Sequence, residues 1–459
     1  MSIYDEVTMD SAPQFLYNTG TMFDLMTGSF HLCEDGKFRL SGGFGGFITG
    51  AHGFGNTFKT TLIQSFLSGL LRIYPSAREV LIDTEGRKEK HRVGSFCNTV
   101  LNNPKGDRDI SNRITLKGGA EFCINGTWEY VKKIVEIRRK NKMEIMIKTP
   151  FIDIRTGQAA MMWEPFIIFI DSLTELESAE EDAMINENKE GIEDGKNKTI
   201  WLVDGNKKTV LIRHLRKIAE EYGIIVVCTA HTGDNTSLDP RNPPSKQLQH
   251  MKQSDKMKGT GSRFEFLTQT LVQTRNCMLL HDANKEPLFP DGPTPDNDLN
   301  EVILSVQRNK TNSSGQAVPF VVSQSVGMLN TCTNLHYLRV NEYIGLNGGS
   351  ARPKHACIWY PDVSFGRKDI RSLAAKNYEL DRAIELTSQF LFIKNNWNTK
   401  TFIPALQDAF MLSPEQVFDK LNSKKAKMND LLQTTGYWNY EQSSGREYMS
   451  ILDFLLKTS

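Results

Sequence analysis

The chain has 459 residues, 39% of them hydrophobic and 24% charged, with a formal net charge of +1. This balance fits a soluble globular protein built as a large domain with attachments. It excludes a global basic field, so any nucleic-acid surface must be local. The seven cysteines (33, 97, 123, 228, 277, 332 and 357) are odd in number and form no C-x-x-C pair. They predict reduced thiols in an intracellular protein, not a disulfide frame or a zinc site. No signal-peptide pattern and no bilayer-length apolar run is present, which predicts neither secretion nor membrane insertion.

Residues 1–40 read as a lead-in. Thr19 to Gly28 carries apolar positions between two glycines, predicting a capped turn and a short helix under a sheet. Phe15 or Leu16 offers a possible subunit contact. An apolar, glycine-bearing run from Phe44 to Ile48 then leads into Gly50-Ala51-His52-Gly53-Phe54-Gly55-Asn56-Thr57-Phe58-Lys59-Thr60-Thr61, and a helical pattern follows to Leu71. Strand, glycine-rich loop and Lys-Thr at a helix start is the arrangement of a phosphate-binding loop, whose backbone N–H groups wrap phosphate oxygens. Gly53, Gly55, Asn56, Thr57, Phe58, Lys59, Thr60 and Thr61 would cradle a nucleotide. Lys59 would reach the β- and γ-phosphates, and the Thr60 hydroxyl would hold Mg²⁺. The pattern departs from G-x-x-x-x-G-K-[ST] at Phe58, where glycine is usual. The plainer reading is a glycine-rich turn before a helix.

Glu79 to Gly86 is a short apolar strand ending in Asp83, Glu85 and a glycine. In an open parallel sheet, ligands sit beyond the carboxyl ends of strands, where Glu85 would orient and deprotonate an attacking water. Otherwise the two carboxylates cap the basic segment that follows. Residues 93–162 are the least legible part, save for a helix over Trp128–Lys140 with Val131, Ile134 and Ile137 on one face. Phe166 to Ile170 is a continuous apolar run, predicting a strand buried on both faces. It ends in Asp171, the place of a Mg²⁺-holding carboxylate. Residues 174–208 read as an acidic, then polar, mobile surface excursion. Thr209–Glu221 predicts a helix with Val210, Leu211, Leu215 and Ile218 inward.

Gly223 to Thr232 predicts a second buried strand, with His231 at its end as a contact for the γ-phosphate or the water. Gly233 to Ser262 reads as a long polar loop. Its Arg241, Lys246, Lys252, Lys256 and Lys258, with Arg263 just beyond, would hold a nucleic-acid backbone. Further strands are predicted at 271–280, at 302–306 and from Pro319 to Ser323. The second runs into Arg308-Asn309-Lys310, whose two cations alternate onto one side if the extended backbone persists. From about 331 the pattern becomes mixed and partly helical (378–392, 401–412 and 414–432), which marks a smaller C-terminal domain with no recognisable chemistry.

The order of these elements resembles the RecA/RadA recombinase family over roughly residues 18–330. Phe58-Lys59-Thr60 and Ala230-His231-Thr232 are most similar to its phage UvsX-like members. Ile82-Asp83-Thr84-Glu85-Gly86 resembles the segment bearing the family's catalytic glutamate, and Phe169-Ile170-Asp171-Ser172-Leu173 its Walker B strand. Gly259-Thr260-Gly261 resembles the end of its second DNA-binding loop. Arg308-Asn309-Lys310 is similar to the basic pair that reaches a neighbouring subunit's ATP. The excursion at 174–208 stands in place of the family's first DNA-binding loop but is not basic.

The resemblance implies an α/β fold: a RecA-like ATPase core over 41–330, with a mostly parallel central sheet flanked by helices, and a C-terminal domain over 331–459. It implies a DNA-dependent ATPase using ATP and Mg²⁺ and forming homo-oligomeric filaments on single-stranded DNA. Pairing with double-stranded DNA, and mediator and single-strand-binding partners, would follow. So would a cytoplasmic location, in the host if the source is a phage. The competing expectations are a hexameric helicase of the DnaB class, which shares the core, and an ATP-binding scaffold with vestigial hydrolysis.

Overall fold

Two apolar runs set the architecture. In Phe166–Asp171, Ile167 and Phe169 join one hydrophobic cluster while Ile168 and Ile170 join another. In the Ile224 run, Ile225 and Val227 go to the first cluster, and Ile224, Val226 and Cys228 to the second. Successive side chains of a strand point to opposite faces, so an unbroken apolar run is a strand covered on both sides. The computed structural model describes residues 14–86, 93, 96, 110–118, 122–178, 194–235, 245–261, 263–290, 298–350, 352–398, 404–423, 428–439 and 445–458, with the backbone alone for 194–203 and 405.

In chain order, β1 (Ser29–Leu32) and β2 (Phe38–Ser41) form a hairpin. The central sheet takes β3 (Ile48–Gly53), β4 (Arg78–Asp83) and β5 (Ile114–Gly118). A separate hairpin of β6 (Met146–Asp153) and β7 (Gln158–Trp163) precedes β8 (Phe166–Asp171) and β9 (Ile224–Asp234). β10 (Asp255–Lys258), β11 (Thr270–Leu279), β12 (Leu299–Asn309), β13 (Ala317–Ser323) and β14 (Gly327–Met328) complete the sheet. The spatial order is β14-β13-β12-β11-β3-β9-β8-β4-β5, with β10 paired to the far end of β9. The run from β11 through β3, β9, β8 and β4 to β5 is parallel, and the β11-to-β14 meander and the β9–β10 pair are antiparallel. The fold is therefore α/β, with a large mixed sheet whose core is parallel.

Helices cover both faces. α1 (Met22–Thr27) is capped by Thr21 and fully buried. α2 (Lys59–Ile73) packs Leu62, Phe66 and Leu70 onto the first cluster. α3 (Ile124–Lys140) and α4 (Asp194–Tyr222) cover the opposite face through Val131, Ile134, Leu211 and Leu215. Among the described residues no helix is long and apolar enough to cross a membrane.

Several expectations need correction. Ile137 is solvent-exposed, and Arg138 takes the inward place, donating to the Tyr222 and Glu164 carbonyls with its guanidinium over Trp163. Val210 also points outward. Residues 194–208 are helical, because α4 begins at Asp194 and carries the buried Asp204–Lys208 pair one turn apart. β13 starts two residues before Pro319, which therefore lies within the strand. It is tolerated there because β14 pairs only with Val322 and Ser323, leaving this stretch at an edge. Phe15 and Leu16 are buried within the chain, with Phe15 stacked on Phe151 at 4.3 Å.

Residues beyond 329 add α6 (Asn330–Val340), a three-stranded sheet of β15 (Leu346–Asn347), β16 (Lys354–Cys357) and β17 (Tyr360–Gly366), and then α8 (Tyr378–Asn396) after a short α7 (Ile370–Lys376). The short α5 (Phe264–Leu267) lies earlier, before β11. α8 is the spine of this region. Its Arg382, fully buried, donates to Glu385 at 2.6 Å and to the Met449 carbonyl at 2.7 Å, and Tyr437 also donates to Glu385. Removing Arg382 leaves the largely buried Glu385 without its cation and the Met449 carbonyl without its donor. Arg382→Ala is expected to lower the stability of the C-terminal region by about 3–5 kcal/mol. Chemical denaturation followed by tryptophan fluorescence checks it, and a shift under ~1 kcal/mol would contradict a structural role.

Candidate functional site

The site forms where β3, β4 and β8 end, beside His231 of the longer β9. β3 delivers Gly53, Phe54 to Phe58 form a tight loop, and α2 starts at Lys59. A Cβ on Gly53 would stand 2.3 Å from Thr274 Oγ1, so only glycine fits between β3 and β11. Around Gly55 a Cβ would meet nothing within 4 Å. Asn56 and Phe58 are left-handed, at φ of 57° and 55°. This conformation is costly for a residue with a side chain. The Phe58 ring packs against the first hydrophobic cluster, which offsets the strain. Thr57 Oγ1 donates to the Phe54 carbonyl and meets Thr274 Oγ1, both at 2.8 Å, and Lys59 Nζ donates to the same carbonyl at 2.9 Å. The loop is thus closed on itself by its own side chains.

Asp171, at the end of β8, is buried. Its carboxylate accepts from Thr60 Oγ1 at 2.7 Å and from Thr229 Oγ1, joining β8 to α2 and β9. The Asp171–Ser172 peptide is cis. Burial pulls the Lys59 ammonium below its ordinary range, and Asp171 and Glu85 partly counter that. On β4, Asp83 accepts from the Gly86 N–H at 3.2 Å, and the half-exposed Glu85 lies 3.4 Å from His231 Nε2.

His231 lies inside β9, not at its end. β9 continues to Asp234 because β10 pairs with it, placing Lys258 opposite His231 and Lys256 opposite Gly233. The expected long polar loop therefore contains a strand. Asp255 and Met257 point in while Lys256 and Lys258 point out, which puts two cations on one exposed face. Lys246, Lys252 and Arg263 are exposed as well. Arg241 lies outside the described residues.

Together, Gly55 to Thr61, Asp83 to Gly86, Asp171 and His231 line a cleft of about 1260 Å³. It also takes Phe122, Cys123, Glu175, Glu177 and Gln324, none of which was expected in the site, Glu175 and Glu177 having been read as the start of an acidic surface excursion. Glu175 and Glu177 follow the strand-end Asp171 closely, a signal that could have flagged them. Phe122, Cys123 and Gln324 arrive by tertiary packing alone. His52, beneath the loop, was likewise missed. Burial pushes its imidazole down to about 3, so it is neutral, with Nδ1 2.8 Å from Thr232 Oγ1.

Arg308 and Lys310 are not in this cleft. Arg308 pairs with Leu271, which pairs with Gly50, and Asn309 stands level with Thr49 through Thr270. Both cations thus lie toward the opposite end of β3 from the loop. Arg308 donates to the Glu265 carbonyl at 2.9 Å and sits 5.8 Å from the exposed Phe266 ring. Burial, with Arg216 and Arg308 nearby, holds Lys310 below its ordinary range.

The two loop glycines differ in what surrounds them. Gly53→Ala is expected to cost about 1–3 kcal/mol, the usual penalty of overpacking. Gly55→Ala is expected to leave thermal stability unchanged. Melting curves of the two variants check the pair, and equal effects would overturn this account of the loop. No protein-family model matches the chain, and no curated protein matches it.

Proposed function

We propose that the chain is an ATP-dependent DNA recombinase of the RecA/RadA type, which assembles head to tail on single-stranded DNA and pairs it with a homologous duplex. The carrying observation is that Lys59 and Thr60 from the start of α2, Glu85 just after β4, Asp171 at the end of β8 and His231 from within β9 converge on one cleft. On this reading the loop is a phosphate loop. Its N–H groups and Lys59 bind the phosphates, and Glu85 takes a proton from the attacking water while His231 orients it. Thr60 and Asp171 supply a hydroxyl and a carboxylate oxygen, a donor set that suits a hard cation, and they would hold Mg²⁺. Bound there, Mg²⁺ neutralises charge on the transferring phosphoryl group. Lys256 and Lys258, one strand away from His231, would contact the DNA backbone together with Lys246, Lys252 and Arg263, a reading that extends to Arg241.

Arg308 and Lys310 cannot serve their own protomer's cleft from the other end of the sheet, so their use is in trans. A neighbour docked there would bring two cations to the acidic cleft lip of Glu85, Glu175 and Glu177. A surface that binds a different surface on the next copy makes a ring if it closes and a filament if it does not.

Electron microscopy with an ATP analogue and single-stranded DNA tests the assembly. A continuous helical filament is expected, and a closed ring threaded by DNA would favour the DnaB-class helicase. Lys59→Ala should lose ATP hydrolysis altogether. Glu85→Gln should bind ATP normally and hydrolyse it at least about 100-fold more slowly, as loss of a general base predicts. Equal damage to binding and turnover would remove Glu85 from the chemistry.

The trans assignment has its own test. Mixing Lys59→Ala with the Arg308→Ala, Lys310→Ala double variant should restore part of the ATPase activity, since some interfaces then pair an intact loop with intact cations. Absence of recovery at every ratio, with co-assembly demonstrated, would refute it.

A further inference from the structure

Thr174 stands three residues beyond Asp171, and both its hydroxyl and its carbonyl join it to other elements. Its hydroxyl accepts the His231 N–H at 3.0 Å and donates to the Lys258 carbonyl at 3.1 Å. A hydroxyl has one proton to give, and both roles are in use. Its carbonyl accepts from Lys208 Nζ at 2.8 Å, and Lys208 is in turn paired with Asp204 at 2.9 Å, both side chains being almost fully buried on α4. Gly259, just after β10 and left-handed at φ +65°, packs so closely that a Cβ there would stand 2.8 Å from Thr174 Cγ2.

We propose that Thr174 is a positioning residue that fixes His231 and the basic strand β10 as one unit, with the buried Lys208 anchoring it from α4. His231 and Lys258 are cross-strand partners in the β9–β10 ladder. The Thr174 hydroxyl bonds the backbone of both, so a shift of His231 relative to Glu85 moves Lys258 and Lys256 with it. Glu85 and His231 meet at the cleft, and Lys256 and Lys258 face outward, so this one side chain couples the two surfaces. The coupling of nucleotide to DNA rests on the function proposed above; the mechanical tie does not.

Hydrogen exchange on the full chain separates the two. Without nucleotide, Thr174→Val should speed exchange at the His231 amide and across Asp255–Lys258 by about ten-fold, the loss of one or two hydrogen bonds. Thr174→Ser, which keeps the hydroxyl, should stay within about two-fold of wild type. Gly259→Ala, which crowds the same contact from the other side, should reproduce the faster exchange with Thr174 intact and serves if the valine variant does not fold. Exchange unchanged in both the valine and alanine variants, or equally fast in serine and valine, overturns the proposal. With ATP analogue, wild type should gain protection over Asp255–Lys258 and Thr174→Val should not. A wild type that binds no nucleotide would refute the proposed function while leaving the nucleotide-free comparison to decide the tie, and equal protection in both proteins would overturn the coupling.

Discussion

The cleft depends on one buried carboxylate. Asp171 ends a strand whose apolar residues fill both faces of the sheet, so its charge is carried out of water by the same burial that stabilises β8. An unpaired carboxylate in that position would cost several kcal/mol. Two hydroxyls meet it, Thr60 from the start of α2 and Thr229 from β9. Satisfying Asp171 therefore fixes the helix start beside the strand end. A second buried carboxylate does the same at the other end of the crossover, where Glu79 on β4 accepts from Gln64 Nε2 at 3.0 Å. Between them α2 is held in register against β4 and β8, and Lys59 is carried into the cleft despite the burial that disfavours its charge.

β4, β8 and β9 were legible because double-sided burial leaves a plain mark, an unbroken apolar run ending in a polar group, whereas β5 fell in the illegible stretch 93–162 and β3 lies at Ile48–Gly53, displaced from the expected Phe44–Ile48 run into the glycines taken for loop. Asp171 and Glu85 could be read that way, and so could the strand that carries His231. What was not legible has physical reasons as well. β10 is four residues long, and its Asp-Lys-Met-Lys alternation is lost among polar neighbours until the extended β9 offers it a partner. The first half of α4 opens on the polar Asp194 to Thr199, which carries no helical periodicity, and the Asp204–Lys208 pair one turn apart is a contact that a helix alone brings together. Arg138 shows the limit of periodicity. A long cation can take an inward position when two carbonyls and an indole receive it, and apolar Ile137 then turns to water.

Phe58 is where the local rule fails and the fold compensates. The residue before Lys59 must be left-handed for the chain to turn from loop into helix, which is why glycine is usual there. A phenylalanine in that conformation carries strain of about 1–2 kcal/mol. Its ring lies against the same cluster that α2 joins through Phe66 and Leu70, and burying part of an aromatic side chain returns a comparable amount. A pattern search for glycine passes over this position, yet Phe58 holds the left-handed conformation that glycine adopts freely.

The sheet also explains why the two sets of charged groups cannot work within one copy. β12 runs antiparallel to β11, which is parallel to β3, so the chain leaves β12 at the end opposite the one where β3 meets the loop. The residues that leave β12, from Gln307 to Lys310, are thereby carried away from the cleft, whatever their side chains. The direction of the meander, and not the identity of Arg308 or Lys310, decides that these cations face outward with Phe266 beside them. On the proposed function, the acidic cleft lip at one end of a copy would meet the basic, partly aromatic edge of the next. A contact of that kind repeats, so if the function proposed here holds, assembly and nucleotide binding are properties of the same interface.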